Sequence, residues 1–322
     1  MGRLELVPFA DDHVEEAGRL LAARHARQRR DEPLLPERYE DPAAARDELR
    51  AVWQAEDVSG AAALRGDGLV GFLLGAPRDA DTWGDNVWVE AAGHAVEDAE
   101  DIRDLYSLAS ARWYEDGRRR HYAVVPANDP VLVDAWFRLG FGQQQAQAVR
   151  ELPTEAGVGG DDRFEIREPR ADDVEALIDV DLALPTHQRA APVFSERPLP
   201  TRDLVRDEWH KTLAGDEERI LIGCLDGRAV ACWSTCDARL SIHYHGLTLP
   251  ERASYLAFAA TLPEARGSGI GVALTDAVLA RAREDGYESM LTDWRVTNLL
   301  ASRFWPRRGF RTTFFRLYRS IP

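Results

Sequence analysis

The stretch of sequence that decides the fold reads Leu262-Pro263-Glu264-Ala265-Arg266-Gly267-Ser268-Gly269-Ile270-Gly271. It joins a predicted buried strand at 254–262 to a predicted amphipathic helix at 270–284. Glycines let the backbone approach a ligand closely, and the unpaired amides at a helix start lie at the positive end of the helix dipole. The turn is therefore a candidate pyrophosphate site.

Two common phosphate-binding motifs do not match this turn. A dinucleotide fingerprint, Gly-x-Gly-x-x-Gly, requires glycine at the position of Val272, and a P-loop requires Gly-Lys-Ser/Thr, which the stretch lacks. The pattern that remains is Arg-x-x-Gly-x-Gly, formed by Arg266, Gly269 and Gly271. Taken alone, it also fits a purely structural turn between a strand and a helix.

A second motif lies closer to the C-terminus and reads Asn298-Leu299-Leu300-Ala301-Ser302-Arg303-Phe304-Trp305, followed by Gly309-Phe310. With both motifs in this order, the sequence resembles the GNAT superfamily of N-acetyltransferases. Members of that superfamily carry the Arg-x-x-Gly-x-Gly turn after a central strand and Asn-x-x-Ala-x-x-aromatic-aromatic-x-x-x-Gly-Phe on a later helix. The resemblance implies that acetyl-CoA is the acyl donor and lies where two central strands splay apart. The residues that it assigns to acetyl-CoA are Ala260, Thr261 and Leu262 for the pantetheine arm, Arg266, Gly267, Ser268, Gly269, Ile270 and Gly271 for the pyrophosphate, and Asn298, Ser302 and Trp305 on the opposite side.

The chain contains an internal duplication. Leu4-Glu5-Leu6 with a following Ala10-Asp11-Asp12 recurs as Phe164-Glu165-Ile166 with Ala171-Asp172-Asp173, and the segment 136–141 is echoed at 305–310. We therefore predict two copies of one domain, at 1–152 and 163–322, joined by a Pro-, Gly- and acid-rich linker at 153–162. The expected class is α/β (α+β), with two tandem GNAT-like domains that each have a mixed, splayed β-sheet and helices on both faces. This layout is similar to that of mycothiol synthase-like proteins. The first copy lacks the Arg-x-x-Gly-x-Gly turn, so we expect it to be degenerate.

The candidate general base is Asp293, twelve residues before Trp305. The resemblance implies this role because a strand carboxylate at that place is the base in GNAT enzymes similar to the ribosomal-protein alanine acetyltransferases; a structural salt bridge is the alternative. His243 and His245 are further candidates, because histidine titrates near neutral pH. His187, in a predicted loop after the first helix of the second copy, is a candidate to line the pocket.

The general acid of many GNAT enzymes, a tyrosine four residues before the Gly-Phe glycine, is replaced here by Trp305. An indole donates a hydrogen bond but does not release a proton at working pH. Three possibilities stay open: water protonates the thiolate, another tyrosine such as Tyr255 or Tyr318 supplies the proton, or the protein binds acyl-CoA without turnover.

Composition limits the other classes of function. The chain has 322 residues, 45% of them hydrophobic, and a formal charge of −15. The charge is uneven: residues 1–160 hold 30 acidic and 18 basic side chains, whereas the segment from Arg266 onward holds five acidic and ten basic ones. This distribution disfavours nucleic acid and fits a small phosphate-bearing ligand. No apolar run approaches the roughly 20 residues that span a bilayer, and the N-terminus does not resemble a signal peptide, so we expect a cytoplasmic protein with no membrane partner.

The sequence thus predicts an acetyltransferase that moves an acetyl group from acetyl-CoA to an amine of a small molecule, with the C-terminal domain active and no metal. The alternative is a non-catalytic acyl-CoA-binding or sensing protein. A monomer and a homodimer are both compatible with the sequence.

Overall fold

The computed structural model describes residues 3–153, 164–195 and 197–322. It divides into two compact units, one made of Met1–Gln147, His245–Pro250 and Thr312–Pro322, the other of Ala148–Tyr244 and Glu251–Arg311. Contacts therefore group two short segments of the predicted second copy with the first unit. The predicted linker at 153–162 lies outside the described residues except for Pro153.

The elements follow the chain in two similar series. The first series consists of β1 (Leu4–Pro8), α1 (Val14–Asp31), α2 (Pro42–Trp53), β2 (Ser59–Arg65), β3 (Gly68–Gly75), α3 (Ala80–Trp83), β4 (Asn86–Val89), β5 (His94–Val96), α4 (Asp101–Glu115), β6 (Arg120–Pro126), α5 (Pro130–Arg138) and β7 (Gly142–Glu151). The second consists of β8 (Glu165–Arg167), α6 (Val174–Arg189), α7 (Arg202–Ala214), β9 (Glu218–Leu225), β10 (Arg228–Asp237), β11 (Ala253–Thr261), α8 (Ile270–Glu284), β12 (Ser289–Arg295), α9 (Leu299–Arg307) and β13 (Arg311–Ser320). No helix among the described residues is long and apolar enough to cross a bilayer.

The first unit contains an antiparallel sheet in the order β1-β2-β3-β5 and a group of strands in the order β4-β6-β13-β7. The last strand, β13, runs antiparallel to β6 from Phe314–Pro126 to Ser320–Arg120, and this pairing explains why the end of the chain belongs to this unit. Two apolar clusters form its core, one around Leu21, Leu49 and Phe72, the other around Ile102 and Trp136.

The second unit has the strand order β12-β11-β10-β9-β8. Asp226-Gly227 forms a tight hairpin turn between β9 and β10, and both residues have the positive φ that such a turn requires. Helices cover both faces of the sheet. Trp233 of β10 donates to Thr275 of α8, and the neighbouring Cys232 lies near Asp181 of α6, on the opposite face because side chains alternate along a strand.

The sheet has a gap between β11 and β12, and the candidate functional site lies along this gap. Strand β11 pairs with β10 over nearly its whole length, but it pairs with β12 at only three positions, from Ala253–Ser289 to Tyr255–Leu291. One residue past the last pair, the Thr292 hydroxyl donates a hydrogen bond to the carbonyl of Leu256 at 3.2 Å. Beyond this point the two parallel strands separate, as the predicted splayed sheet requires.

Candidate functional site

The glycine-rich turn lies at the end of the gap where β11 and β12 are separated, and it connects β11 to α8. Gly267 has φ +78° and Gly269, the N-cap of α8, has φ +103°, both in the left-handed region that disfavours residues with a Cβ. The Ser268 hydroxyl stabilises the turn by donating to the carbonyl of Ala265 at 2.8 Å and accepting from the amide of Ile270 at 3.3 Å. A Cβ added at Gly267 would meet no atom within 4 Å, so this side of the turn faces open space.

A cavity of about 400 Å³ lies between the turn, β11, α6 and α9. Nine of the twelve residues predicted for acetyl-CoA line it: Ala260, Thr261, Arg266, Gly267, Gly269, Ile270, Gly271, Asn298 and Trp305. The sequence reasoning missed several apolar members of the wall, which are Leu184, Trp233, Ala259, Ala265, Val272, Leu300, Ala301 and Phe304.

Three predicted residues are not among the lining residues. The amide of Leu262 donates to the carbonyl of Val230 on β10 at 2.9 Å, and the Ser302 hydroxyl donates to the carbonyl of Val296 at 2.8 Å. Ser268 acts within the turn, as described above. Because backbone groups alternate in an antiparallel ladder, an amide of residue 262 that points to β10 leaves those of Thr261 and Ala259 pointing toward the gap.

The far wall is built around the N-terminus of α9. Asn298 caps this helix, its Oδ1 accepting from the amides of Leu300 and Ala301. The same oxygen lies 3.2 Å from Nε2 of His187, which lines the cavity. Since Oδ1 can only accept, Nε2 of His187 is the donor. The predicted lining role of His187 is confirmed, but its predicted loop position is wrong, because α6 continues through Pro185 to Arg189.

Trp305 is buried in an aromatic cluster rather than presented as a free polar group. Its ring makes edge contacts with Trp233, Phe304 and Phe310, with centroids 6.4, 4.9 and 5.5 Å away. It therefore shapes the cavity wall by packing, and its indole supplies no acid.

Asp293 lies on β12, two residues after the last pair with β11. Its Oδ2 accepts a hydrogen bond from the Tyr255 hydroxyl at 2.7 Å. Asp293 is outside the set of residues that line the cavity, and it lies at the opposite end of the gap from the glycine turn.

The two candidate histidines are in different surroundings. The amide of His243 donates to the Ser241 hydroxyl at 3.1 Å. Nε2 of His245 lies 3.3 Å from Oε2 of Glu90, and this contact raises the pKa of His245 above its usual value. Within the described ranges, no group of three or more His, Cys, Asp or Glu side chains is arranged to hold a metal ion.

The ion pair between His245 and Glu90 predicts a pH dependence of stability. A histidine with a raised folded-state pKa stabilises the fold fully below its unfolded pKa of about 6.5, and this contribution is lost as pH rises through the folded-state value. We expect the difference in urea midpoint between the wild type and His245→Gln to be largest near pH 6 and to shrink toward pH 9. A difference that stays constant or grows over this range would contradict the ion pair. His210→Gln is the control, because His210 is an exposed histidine on α7 of the second unit.

The corresponding place in the first copy is filled by protein side chains. The buried guanidinium of Arg24 donates to the carbonyls of His94 and Ala91 at 2.5 and 2.7 Å. The His94 ring in turn lies 3.0 Å from the carbonyl of Val124 on β6, so the space between β5 and β6 is bridged. Burial lowers the pKa of Arg24 to about 9 and that of His94 to about 3.

Comparison with known proteins identifies the class. Residues 183–310 match the model of the acetyltransferase (GNAT) family. The matched segment holds the turn, the cavity and Asp293, and the predicted resemblance to the GNAT acetyltransferases is confirmed. A search of curated proteins finds no match.

Solved structures show the fold of the whole chain. It is similar to a GCN5-related N-acetyltransferase from Sphaerobacter thermophilus, with a TM-score of 0.58 and 14% identity over 98% of this chain and 95% of that one. It is also similar to a tandem GNAT protein from the clavulanic acid biosynthesis pathway, with a TM-score of 0.50 and 15% identity over 98% and 97% of the two chains. The predicted fold of two tandem GNAT-like domains is confirmed.

Proposed function

We propose that the protein transfers an acetyl group from acetyl-CoA to an amine of a small molecule, and that the second copy carries the activity. The observation that supports this most is the arrangement along one gap. The glycine turn and its cavity lie at one end, and a carboxylate, Asp293, lies at the end where β11 and β12 meet. A pyrophosphate on the turn amides would direct the pantetheine arm along Thr261 and Ala259 toward Asp293.

In this proposal the chemistry is a direct transfer. The amine nitrogen attacks the thioester carbonyl, a C–N bond forms, the C–S bond breaks and the thiolate leaves. Asp293 accepts the proton that the amine loses. We propose Asp293 rather than His245 as the base, because His245 already faces Glu90. The thiolate of a thiol with pKa near 8.5 is a tolerable leaving group, so transfer can proceed without a tyrosine at position 305.

The remaining assignments follow from the same proposal. The copies at 1–152 and 163–322 would be joined by the linker at 153–162, the protein would act in the cytoplasm as a monomer or homodimer, and no metal would take part.

The proposal is tested by incubating the protein with acetyl-CoA and a panel of amines while free thiol is followed. Thiol release that depends on one class of amine, with an acetylated product of the expected mass, is the expected result. Tight acetyl-CoA binding without acceptor-dependent release across the panel would instead support the sensing protein that the replacement of tyrosine by Trp305 suggests.

The bridged space in the first copy predicts the stoichiometry of binding. Because the Ala91 and His94 carbonyls already accept from Arg24, they are not available to the amides of a pantetheine arm. We expect calorimetric titration with acetyl-CoA to give one site per chain, and Gly267→Ala to weaken that one site. Two sites of similar affinity would show that the first copy also binds the donor.

A further inference from the structure

Tyr255 occupies a special position on β11, because it forms the last pair with β12 before the strands separate. Its side chain is 8% exposed, and its hydroxyl donates to Oδ2 of Asp293 at 2.7 Å. A short hydrogen bond between a buried phenol and a carboxylate fixes the orientation of the carboxylate at the end of the gap where β11 and β12 meet.

A second buried tyrosine, Tyr244, contacts both Tyr255 and the residue before Asp293. Tyr244 is 1% exposed, and its hydroxyl donates to the carbonyl of Thr292 at 2.6 Å. Its ring packs edge-on against Tyr255 with centroids 5.4 Å apart. The two phenols therefore hold consecutive residues of β12, one through the backbone and the other through the carboxylate.

We infer that Tyr255 is a positioning residue that holds the Asp293 carboxylate for proton transfer, and that it does not protonate the leaving thiolate. This inference rests on the proposed function. The phenol proton is already donated to Asp293, so it is not directed at a thioester sulfur. Burial, together with Asp293, Tyr244 and Cys236, which face the phenol, also raises the pKa of Tyr255 far above its usual value. The thiolate then takes its proton from water.

The kinetic test compares Tyr255→Phe with the wild type over a range of pH. Loss of a hydrogen bond to a charged group predicts a decrease in kcat of about tenfold to hundredfold, with the Kd of acetyl-CoA changed less than twofold. Because the carboxylate loses the phenol that orients it, the loss should appear in kcat rather than in the KM for the amine. The basic limb of the kcat/KM profile should stay in place. Loss of the basic limb would overturn the inference, because it would identify Tyr255 as the acid.

Tyr244→Phe is the matched control. It removes the same functional group from a neighbouring buried ring, but the bonds that it breaks go to the Thr292 carbonyl and the Ala148 amide rather than to Asp293. This variant should lower kcat much less than Tyr255→Phe does. An equal loss in both variants would overturn the inference, because it would mark a general loss of packing.

A measurement without turnover separates this inference from the proposed function. In protein labelled with ¹³C at aspartate carboxyl groups, the Asp293 signal is assigned by its absence in Asp293→Asn, and its chemical shift is compared in the wild type, Tyr255→Phe and Tyr244→Phe. A change that is largest in Tyr255→Phe supports positioning even if no amine is acetylated, in which case only the proposed function fails. An unchanged chemical shift in Tyr255→Phe overturns the positioning role whatever the activity.

Discussion

Asp293→Asn is expected to lower acetyl transfer at pH 7 by two or more orders of magnitude, because a general base contributes about 10²–10⁴-fold to the rate. Asparagine has nearly the same shape and can still accept from Tyr255, so the fold where β11 and β12 meet should be kept. Since Asp293 lies outside the cavity that we assign to the donor, the Kd of acetyl-CoA should change little. Steady-state kinetics with the best amine of the panel and calorimetry with acetyl-CoA give the two quantities.

Asp276→Asn is the control for this prediction. Asp276 is an exposed residue of α8 in the same unit, so the variant removes one negative charge without changing the gap. Its rate should equal that of the wild type. An Asp293→Asn rate within threefold of the wild type would remove Asp293 from the mechanism and leave His243 as the remaining candidate base of the predicted set.

Gly267→Ala should weaken acetyl-CoA binding about tenfold or more. The left-handed conformation of residue 267 costs an L-residue about 1–2 kcal/mol, so the free turn relaxes and its amides no longer converge on the pyrophosphate. The added methyl group would also project into the open space where the phosphate is expected. Calorimetric titration with acetyl-CoA measures this loss.

The chain offers a closely matched control, Gly227→Ala. Gly227 has φ +77° against +78° for Gly267, and a Cβ at either glycine would meet no atom within 4 Å. Gly227 lies in the turn between β9 and β10, away from the cavity, so both variants should lose similar stability while only Gly267→Ala loses affinity. Equal affinities for the two variants would show that the turn does not hold the donor.

Local sequence predicted the turn and the helices that flank the cavity well. Glycine at 267 and 269 is needed for backbone angles that are set within a few residues, and Asn298 caps α9 through amides two and three positions along the chain. Such features depend on neighbours in the sequence, so a motif is sufficient to predict them. Leu262 and Ser302 were placed on the cavity by the same motifs, but the backbone groups that they bind are outside it.

The surroundings of the proposed base could not be predicted in this way. Asp293 was proposed from its spacing to Trp305, but nothing in the spacing indicates that Tyr255, 38 positions away, donates to it. The partner of His245 is Glu90, in the other copy of the duplicated sequence. The raised pKa of His245 therefore could not be predicted from the residues next to His245 in the chain.

The sequence by itself determined the resemblance of the second copy to the GNAT family, the duplication, and the position of the glycine-rich turn, because these follow from short motifs and from their repetition. Only the tertiary structure decided which groups surround Asp293 where β11 and β12 meet. The distance over which β11 and β12 stay paired and the bond from Tyr255 to Asp293 arise because strands distant in sequence become neighbours in a sheet. The contact of His187 with Asn298 arises because α6 lies beside the N-terminus of α9. Hydrogen bonding acts over about 3 Å in space and is independent of separation along the chain.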